Sequence, residues 1–126
     1  MPVVSVIMAC HRVTPFLRPA VRSVLAQTER DLELILVDNG TGAGLEPLAQ
    51  DGADPRVRLV TLGTNRGIAA AHNAAVALAA GEFIALLDHD DLMLPRRLEK
   101  QIAALRASPG LGLVNCGALG GRRSMT

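Results

Sequence analysis

Short apolar runs alternate with helix-like segments along this chain, and this alternation most constrains the fold. The runs cover residues 3–9, 32–37, 57–62 and 83–87. Near-continuous apolar runs are typical of strands that are covered on both faces. Strands that alternate with helices form a parallel sheet, so we expect a three-layer α/β fold with a mostly parallel sheet flanked by helices.

The segments between these runs carry helical periodicity. Apolar pairs recur every fourth residue from Phe16 to Leu25, which predicts a helix over 15–27. Further helices are predicted over 45–49, 68–80 and 92–107, and Gly81 is the expected C-cap of the third. Residues 111–116 are a candidate fifth strand. The 126 residues suit one domain, which we place at 1–126.

Composition excludes several classes of function. The net charge is +1, and the two aromatic residues are Phe16 and Phe83, so nucleic acid is not an expected partner. Cys10 and Cys116 form neither a disulfide framework nor a metal-binding spacing, which favours a reducing, cytoplasmic location. The apolar start reads as a strand rather than a signal peptide.

Polar residues follow each predicted strand, at residues 10–12, 38–39, 65–67 and 88–91. Ligands of open α/β sheets bind outside the carboxyl ends of the strands, so these residues are the candidate site. The turn after the first strand lacks G-x-G-x-x-G, and no P-loop motif is present, which disfavours an NAD site and excludes a P-loop site. Taken alone, Asp38 is better explained as a residue of a plain turn than as a ligand contact. Taken alone, Asn65 is explained equally well as a helix cap or as part of a ligand site.

The densest polar stretch is LLDHDD, with Asp88, Asp90 and Asp91. If the strand continues past Leu87, Asp88 and Asp90 point the same way and would repel each other unless a cation neutralises them. Mn²⁺ and Mg²⁺ prefer oxygen ligands, so a metal–diphosphate site is one interpretation. The alternative is that Asp91 caps a helix that begins at residue 92. His89 is an outside candidate for a phosphate contact.

Several segments together resemble a known family. VSVIMACHR, AVRSVLAQT and ELILVDNGT are similar to the first strand, first helix and second strand of family 2 glycosyltransferases. NRGIAAAHNAAVALAAGEFIALLDHDD closely resembles the long segment of that family that ends in the D-x-D motif. The similarity runs from about residue 3 to residue 107. It implies the GT-A fold and, for this chain, the nucleotide-sugar-binding portion.

The resemblance also implies a role for each matching residue. Asp38 would bind the nucleotide base, with the main chain around Ala9 and His11 lining the same pocket. Asn65 and Gly67 would form the wall beside the base and ribose.

At the other matching positions, Asp88 would contact the ribose, directly or through metal-bound water, and would complete the metal site. Asp90 would ligate the Mn²⁺ or Mg²⁺ that holds the diphosphate. Asp91 would be left for a supporting role or for helix capping.

The implied function is metal-dependent, inverting transfer of a sugar from a nucleotide-diphosphate sugar, with a UDP-sugar the first choice, to an unidentified glycan, lipid or small-molecule acceptor. The family's acceptor site and general base usually lie beyond the matched region, so we expect this chain to bind the donor and to transfer nothing alone. A homo-oligomer could cover an exposed sheet edge. The full-length enzyme could lie at the inner face of the membrane.

The chain departs from the family pattern at several positions, which affects base recognition more than fold. Ala9 replaces a proline, Arg12 an asparagine, Asn39 a second acid and His72 an arginine. Three other functions stay open: a non-catalytic nucleotide-sugar-binding module, a nucleotidyltransferase, and an interaction domain that kept the fold and lost its ligand. The nucleotidyltransferase is disfavoured because no glycine-rich loop follows the first strand.

Overall fold

The computed structural model describes residues 1–50 and 54–117. Residues 51–53 and 118–126 of the expected domain lie outside the described residues. The strands are β1 (Val4–Cys10), β2 (Leu32–Asn39), β3 (Val57–Leu62) and β4 (Phe83–Leu86). The helices are α1 (Leu17–Leu25), α2 (Glu46–Gln50), α3 (Ile68–Val76) and α4 (Arg97–Ala107).

The four strands form one sheet in the order β3-β2-β1-β4, and every pairing is parallel. Val4 is in register with Leu32 of β2 on one side and with Phe83 of β4 on the other. All seven residues of β1 are buried, which explains why its sequence is an apolar run without polar alternation. The predicted parallel sheet is confirmed.

Helices cover both faces of the sheet. Leu17 and Val24 of α1 and Leu98 of α4 share a core with Leu34 and with the region around α2. On the opposite face, α3 packs through small residues, Ala71 and Ala75, in a second core that contains Ile7, Ile35 and Val37. The chain moves across the sheet in one direction from β1 to β2 to β3, and it crosses back in the opposite direction from β3 to β4. Because all crossovers have the same hand, α3, which lies in the crossover back to β4, packs on the opposite face from α1.

The ends of the helices differ from the predictions. The third helix ends at Val76 rather than at residue 80, so Gly81 is not its C-cap. Gly81 instead lies against β1, where its N–H donates to the hydroxyl of Ser5 at 2.8 Å. A Cβ at Gly81 would lie 2.6 Å from the backbone nitrogen of Ser5, so glycine is required by a close approach of two backbones.

The predicted helix over 92–107 begins five residues later, at Arg97. Pro95 disfavours helical geometry at Leu94, and residues 91–94 are irregular. The interpretation of Asp91 as the cap of this helix is therefore wrong, because Arg96 is the N-cap residue and makes no side-chain cap hydrogen bond.

The candidate fifth strand over 111–116 is also wrong. Residues 113–117 carry no regular structure, and no strand in the described part of the chain pairs with them. Leu111 and Leu113 are 50% and 76% exposed, so this apolar run finds no cover on either side. None of the helices within residues 1–50 and 54–117 has the length and hydropathy needed to cross a bilayer.

Candidate functional site

The carboxyl ends of the strands carry a cavity of about 250 Å³. The direction of chain progression reverses at β1, which pairs with β2 on one side and β4 on the other. Four residues predicted for the nucleotide, Ala9, His11, Asn65 and Gly67, lie around this cavity together. The other lining residues are Cys10, Asn39 and Ile68.

Asn39 organises one wall of the cavity. Its side-chain Nδ2 donates to Oδ1 of Asn65 at 3.1 Å and to the carbonyl of Gly67 at 3.3 Å. Its Oδ1 accepts the backbone N–H of Arg66 at 3.0 Å. Three hydrogen bonds from one buried amide therefore fix the loop before α3 against the end of β2. Sequence reasoning placed Asn39 in a turn and noted it only as a departure from the family.

Two glycines make this wall possible. Gly67 is the N-cap residue of α3, with a φ of 86°, and its N–H donates to Oδ1 of Asn65 at 2.9 Å. Gly40 has a φ of 80°, and a Cβ there would lie 2.3 Å from the backbone nitrogen of Asn65. Both positions need the left-handed backbone conformation that glycine adopts without strain.

Asp38 is not among the residues that line the cavity. It is 4% exposed and lies in register with Cys10, whereas Asn39 follows on the other face of the sheet. Its Oδ1 accepts the backbone N–H of Thr41 at 2.8 Å, so the carboxylate holds the turn after β2.

Cys10 is a buried residue, as the sequence predicted. Its thiol donates to the carbonyl oxygen of Arg12 at 2.8 Å, and it is fully shielded from solvent. Burial, reinforced by the nearby negative charge of Asp38, raises the pKa of the Cys10 thiol. A thiol in this environment is a poor nucleophile.

The three aspartates of LLDHDD form one cluster beside the end of β4. One carboxylate oxygen from each of Asp88, Asp90 and Asp91 lies within 4.8 Å of the other two, and all three residues are exposed. The backbone N–H of Asp91 donates to the carbonyl of Asp88 at 3.1 Å, so a tight turn gathers the side chains. Three oxygen ligands at this spacing fit one hard divalent cation, with open positions left for water or phosphate.

Charged groups of both signs act on the carboxylates of this triad. Partial desolvation within the turn, together with the neighbouring carboxylates of Asp90 and Asp88, raises the pKa of the exposed Asp91, while His89 and Arg97 act in the other direction. Arg97 also donates to the carbonyl of Leu86, the last residue of β4, at 3.1 Å. A bound cation would favour the ionised form of all three carboxylates and remove their mutual repulsion.

A pair of histidines joins the triad to the cavity. The rings of His11 and His89 meet edge to face, with centroids 5.8 Å apart and planes at 88°. His11 lines the cavity, and His89 lies between Asp88 and Asp90. In the described part of the chain, Nδ1 of His89 is buried without a hydrogen-bond partner. The predicted phosphate contact of His89 stays a prediction.

A cavity and an acidic triad at the carboxyl edge of a parallel sheet place this chain in the class of open α/β domains that bind a ligand at this edge. Comparison with known families makes the class specific. The family model for glycosyl transferase family 2, which describes the sequences of that family, matches residues 5–116, and the chain belongs to this family.

Individual relatives agree with this assignment. The chain is 37% identical over 101 residues to the succinoglycan biosynthesis protein ExoO of Rhizobium meliloti, covering 80% of this chain and 29% of that protein. It is 33% identical over 102 residues to WfgD of Escherichia coli, named as a UDP-Glc:α-D-GlcNAc-diphosphoundecaprenol β-1,3-glucosyltransferase, covering 81% and 40%.

A solved structure confirms the predicted GT-A fold. The mannosyltransferase PcManGT of Pyrobaculum calidifontis, in complex with GDP-Man and Mn²⁺, superposes with a TM-score of 0.78 at 28% identity. The superposition covers 88% of this chain and 34% of that protein. The chain thus spans less than half the length of the relatives it matches.

Proposed function

We propose that this chain is the donor-binding part of a metal-dependent, inverting glycosyltransferase. The observation that carries the proposal is the position of the cavity and the acidic triad, at one edge of the sheet and joined by the contact between His11 and His89. A nucleotide-diphosphate sugar has a base and ribose that need a pocket and a diphosphate that needs a cation. The site offers a cavity for the base and ribose and, next to it, an acidic triad for the cation that would hold the diphosphate.

The cavity would hold the nucleoside. Ala9 and His11 would contact it from the end of β1, and Asn65 and Gly67 would form the opposite wall. Asp38 stays in the proposal as a base contact because the resemblance to the family assigns that role to its position, although Asp38 does not line the cavity. Its hydrogen bond to the N–H of Thr41 is the competing role, and only one of its two oxygens is used there.

The triad would hold the metal. Asp90 and Asp88 are the proposed ligands, and the geometry adds Asp91 as a third carboxylate. When bound, Mn²⁺ or Mg²⁺ would act as a Lewis acid that stabilises the departing nucleoside diphosphate. The carboxylates would orient the cation, and Arg97 would limit their repulsion. The general base that activates the acceptor is not assigned to any residue of this chain.

The identity of the nucleotide base and of the sugar is a more specific part of the proposal. UDP is the first choice, supported by the UDP-Glc in the name of WfgD, and GDP is the second, supported by the GDP-Man in the PcManGT complex. Mn²⁺ in that complex makes it the first cation to test. The acceptor, a cytoplasmic location, placement of the full-length enzyme at the inner face of a membrane and a homo-oligomer stay predictions.

Calorimetric titration of UDP into the chain, with and without Mn²⁺, tests the proposal. We expect metal-dependent binding that Asp90→Asn abolishes. Glu82→Gln is the matched control because it makes the same charge change at the opposite end of β4, where Glu82 pairs with Arg106. GDP and dTDP follow if UDP fails.

Failure of all three nucleotides with a folded chain would refute the donor-site proposal. A non-catalytic nucleotide-sugar-binding module predicts the same binding and differs only in the absence of transfer by the full-length protein. An assay of the full-length protein with donor and acceptor therefore separates the two.

A further inference from the structure

The stretch between the acidic triad and α4 is irregular but well anchored. Residues 92–96 belong to neither a helix nor a strand, yet Met93 is 3% exposed. The N–H of Met93 donates to the hydroxyl of Ser23 at 3.0 Å, and the N–H of Thr28 donates to the carbonyl of Pro95 at 2.9 Å. The end of α1 and the turn that follows it therefore satisfy backbone groups that no regular structure satisfies.

Gln27 is the centre of this anchor. Its side-chain Nε2 donates to the carbonyls of Leu94 and Met93 at 2.7 and 3.3 Å. Its Oε1 accepts the N–H of Leu98, in the first turn of α4, at 3.1 Å. Gln27 is fully buried, so these bonds are shielded from water. One amide thus bridges the irregular stretch and the start of the helix that follows it.

We propose that Gln27 is a positioning residue for the acidic triad. Asp91 lies two residues before Met93, so the anchor fixes the outgoing end of the turn that gathers the carboxylates. The incoming end is fixed by the N–H of Leu87, which donates to the carbonyl of Ile7 at 3.2 Å. The inference rests on the proposed function, in which the triad holds a divalent cation.

Metal affinity depends on this anchor because ligand oxygens must be held to within about 0.5 Å of their productive positions. Without the amide of Gln27, the carbonyls of Met93 and Leu94 lose a donor and the N–H of Leu98 loses its acceptor, so Asp91 can move away from Asp88 and Asp90. The cavity is built from the ends of β1 and β2 and from the loop before α3 and the first residue of α3. Within residues 1–50 and 54–117, no residue that lines it is hydrogen-bonded to the side chain of Gln27. Loss of the anchor should therefore weaken metal binding selectively.

Mn²⁺-induced broadening of backbone amide NMR signals in the ¹⁵N-labelled chain measures this effect at residues 88–91. We expect Gln27→Leu to raise the Mn²⁺ concentration for half-maximal broadening about tenfold, the range seen when partners of metal ligands are removed. Ser23→Ala removes the acceptor of the Met93 N–H and a hydrogen bond to the carbonyl of Ala20 within α1. It should raise this concentration less than Gln27→Leu does, and it serves as the test if Gln27→Leu does not fold. Ile35→Ala is the control, because it opens a cavity in the core on the other face of the sheet.

The positioning role would be overturned if wild type and every folded variant, Ser23→Ala included, needed the same Mn²⁺ concentration for half-maximal broadening. That result would leave the metal site intact. An equal shift in Ile35→Ala would also overturn the positioning role, because general destabilisation would then suffice. Absence of localised broadening in wild type would overturn both this inference and the metal part of the proposed function. Localised broadening without nucleotide binding would defeat the donor-site proposal and leave the role of Gln27 standing.

Discussion

Gly40 gives the sharpest test of how the cavity wall is built. It combines a φ of 80° with a position where a Cβ would lie 2.3 Å from the nitrogen of Asn65 and 2.6 Å from the carbonyl carbon of Thr64. Both atoms belong to the backbone, so they cannot swing away as the end of a flexible side chain can. Gly40→Ala must therefore strain its own backbone and displace the loop that carries Asn65.

The two costs can be separated with other glycines of the same chain. Gly42 has a φ of 68° and open space around it, whereas a Cβ at Gly81 would lie 2.6 Å from the nitrogen of Ser5 and no positive φ is involved. Left-handed backbone costs a non-glycine residue about 1–2 kcal/mol. Overpacking costs roughly 1–3 kcal/mol. We therefore expect Gly42→Ala to show the first cost, Gly81→Ala the second, and Gly40→Ala about 2–5 kcal/mol from both.

Urea unfolding followed by circular dichroism measures these free energies of unfolding, and thermal unfolding gives a second reading. Each 1 kcal/mol should lower Tm by roughly 3–6 °C for a domain of this size. If Gly40→Ala costs no more than Gly42→Ala, the close approach of the two loops is refuted. Gly40→Ala should also weaken nucleotide binding, whereas Gly42→Ala should leave it near the wild-type value.

Three further predictions concern single side chains. Asn39→Asp should lower the free energy of unfolding by about 1–3 kcal/mol, because a carboxylate cannot donate to Asn65 and Gly67. Urea unfolding measures this change, and an unchanged midpoint would contradict the hydrogen bonds of the cavity wall. The side-chain hydrogen bond from Arg56 lowers the pKa of Asp54, so Asp54→Asn should cost up to about 1 kcal/mol at pH 7. That difference should fade as the pH falls below 3.8 and through the folded-state pKa; a pH-independent difference would contradict it. Cys116 is exposed and Cys10 buried, so iodoacetamide should label Cys116 first in mass spectrometry, and equal rates would be inconsistent with the core.

The fold was predictable because the two central strands of the sheet, β1 and β2, are covered on both faces. The residues of β1 are all buried, and those of β2 nearly so, so their apolar runs stand out from the polar turns that follow them. The ends of α4 and α3 were not predictable from periodicity alone. Leu94 fits the helical stripe that Leu98, Ile102 and Leu105 form in the sequence, yet it is exposed, because long-range bonds from Gln27 and the proline hold this stretch in another conformation.

Part of the site was predictable for a similar reason. In a parallel sheet the carboxyl ends meet at one edge, so Ala9, His11, Asn65 and Gly67 come together although up to 58 positions separate them. The role of Asn39 was missed because its partners lie 26 to 28 positions away. Which face Asp38 occupies depends on the strand register, and the turn signal at 38–40 does not reveal that register.

The cavity and the triad are supported by different parts of the fold. Asn39 and Gly40 control the wall formed with Asn65, whereas the end of α1 controls the stretch that follows Asp91. The ring contact of His11 with His89 is a direct link between them. Changes more than about 7–10 Å apart without shared partners usually add in free energy. A change at Gln27 should therefore weaken Mn²⁺ binding at the triad with or without nucleotide, and it should reduce nucleotide binding only through the bound cation.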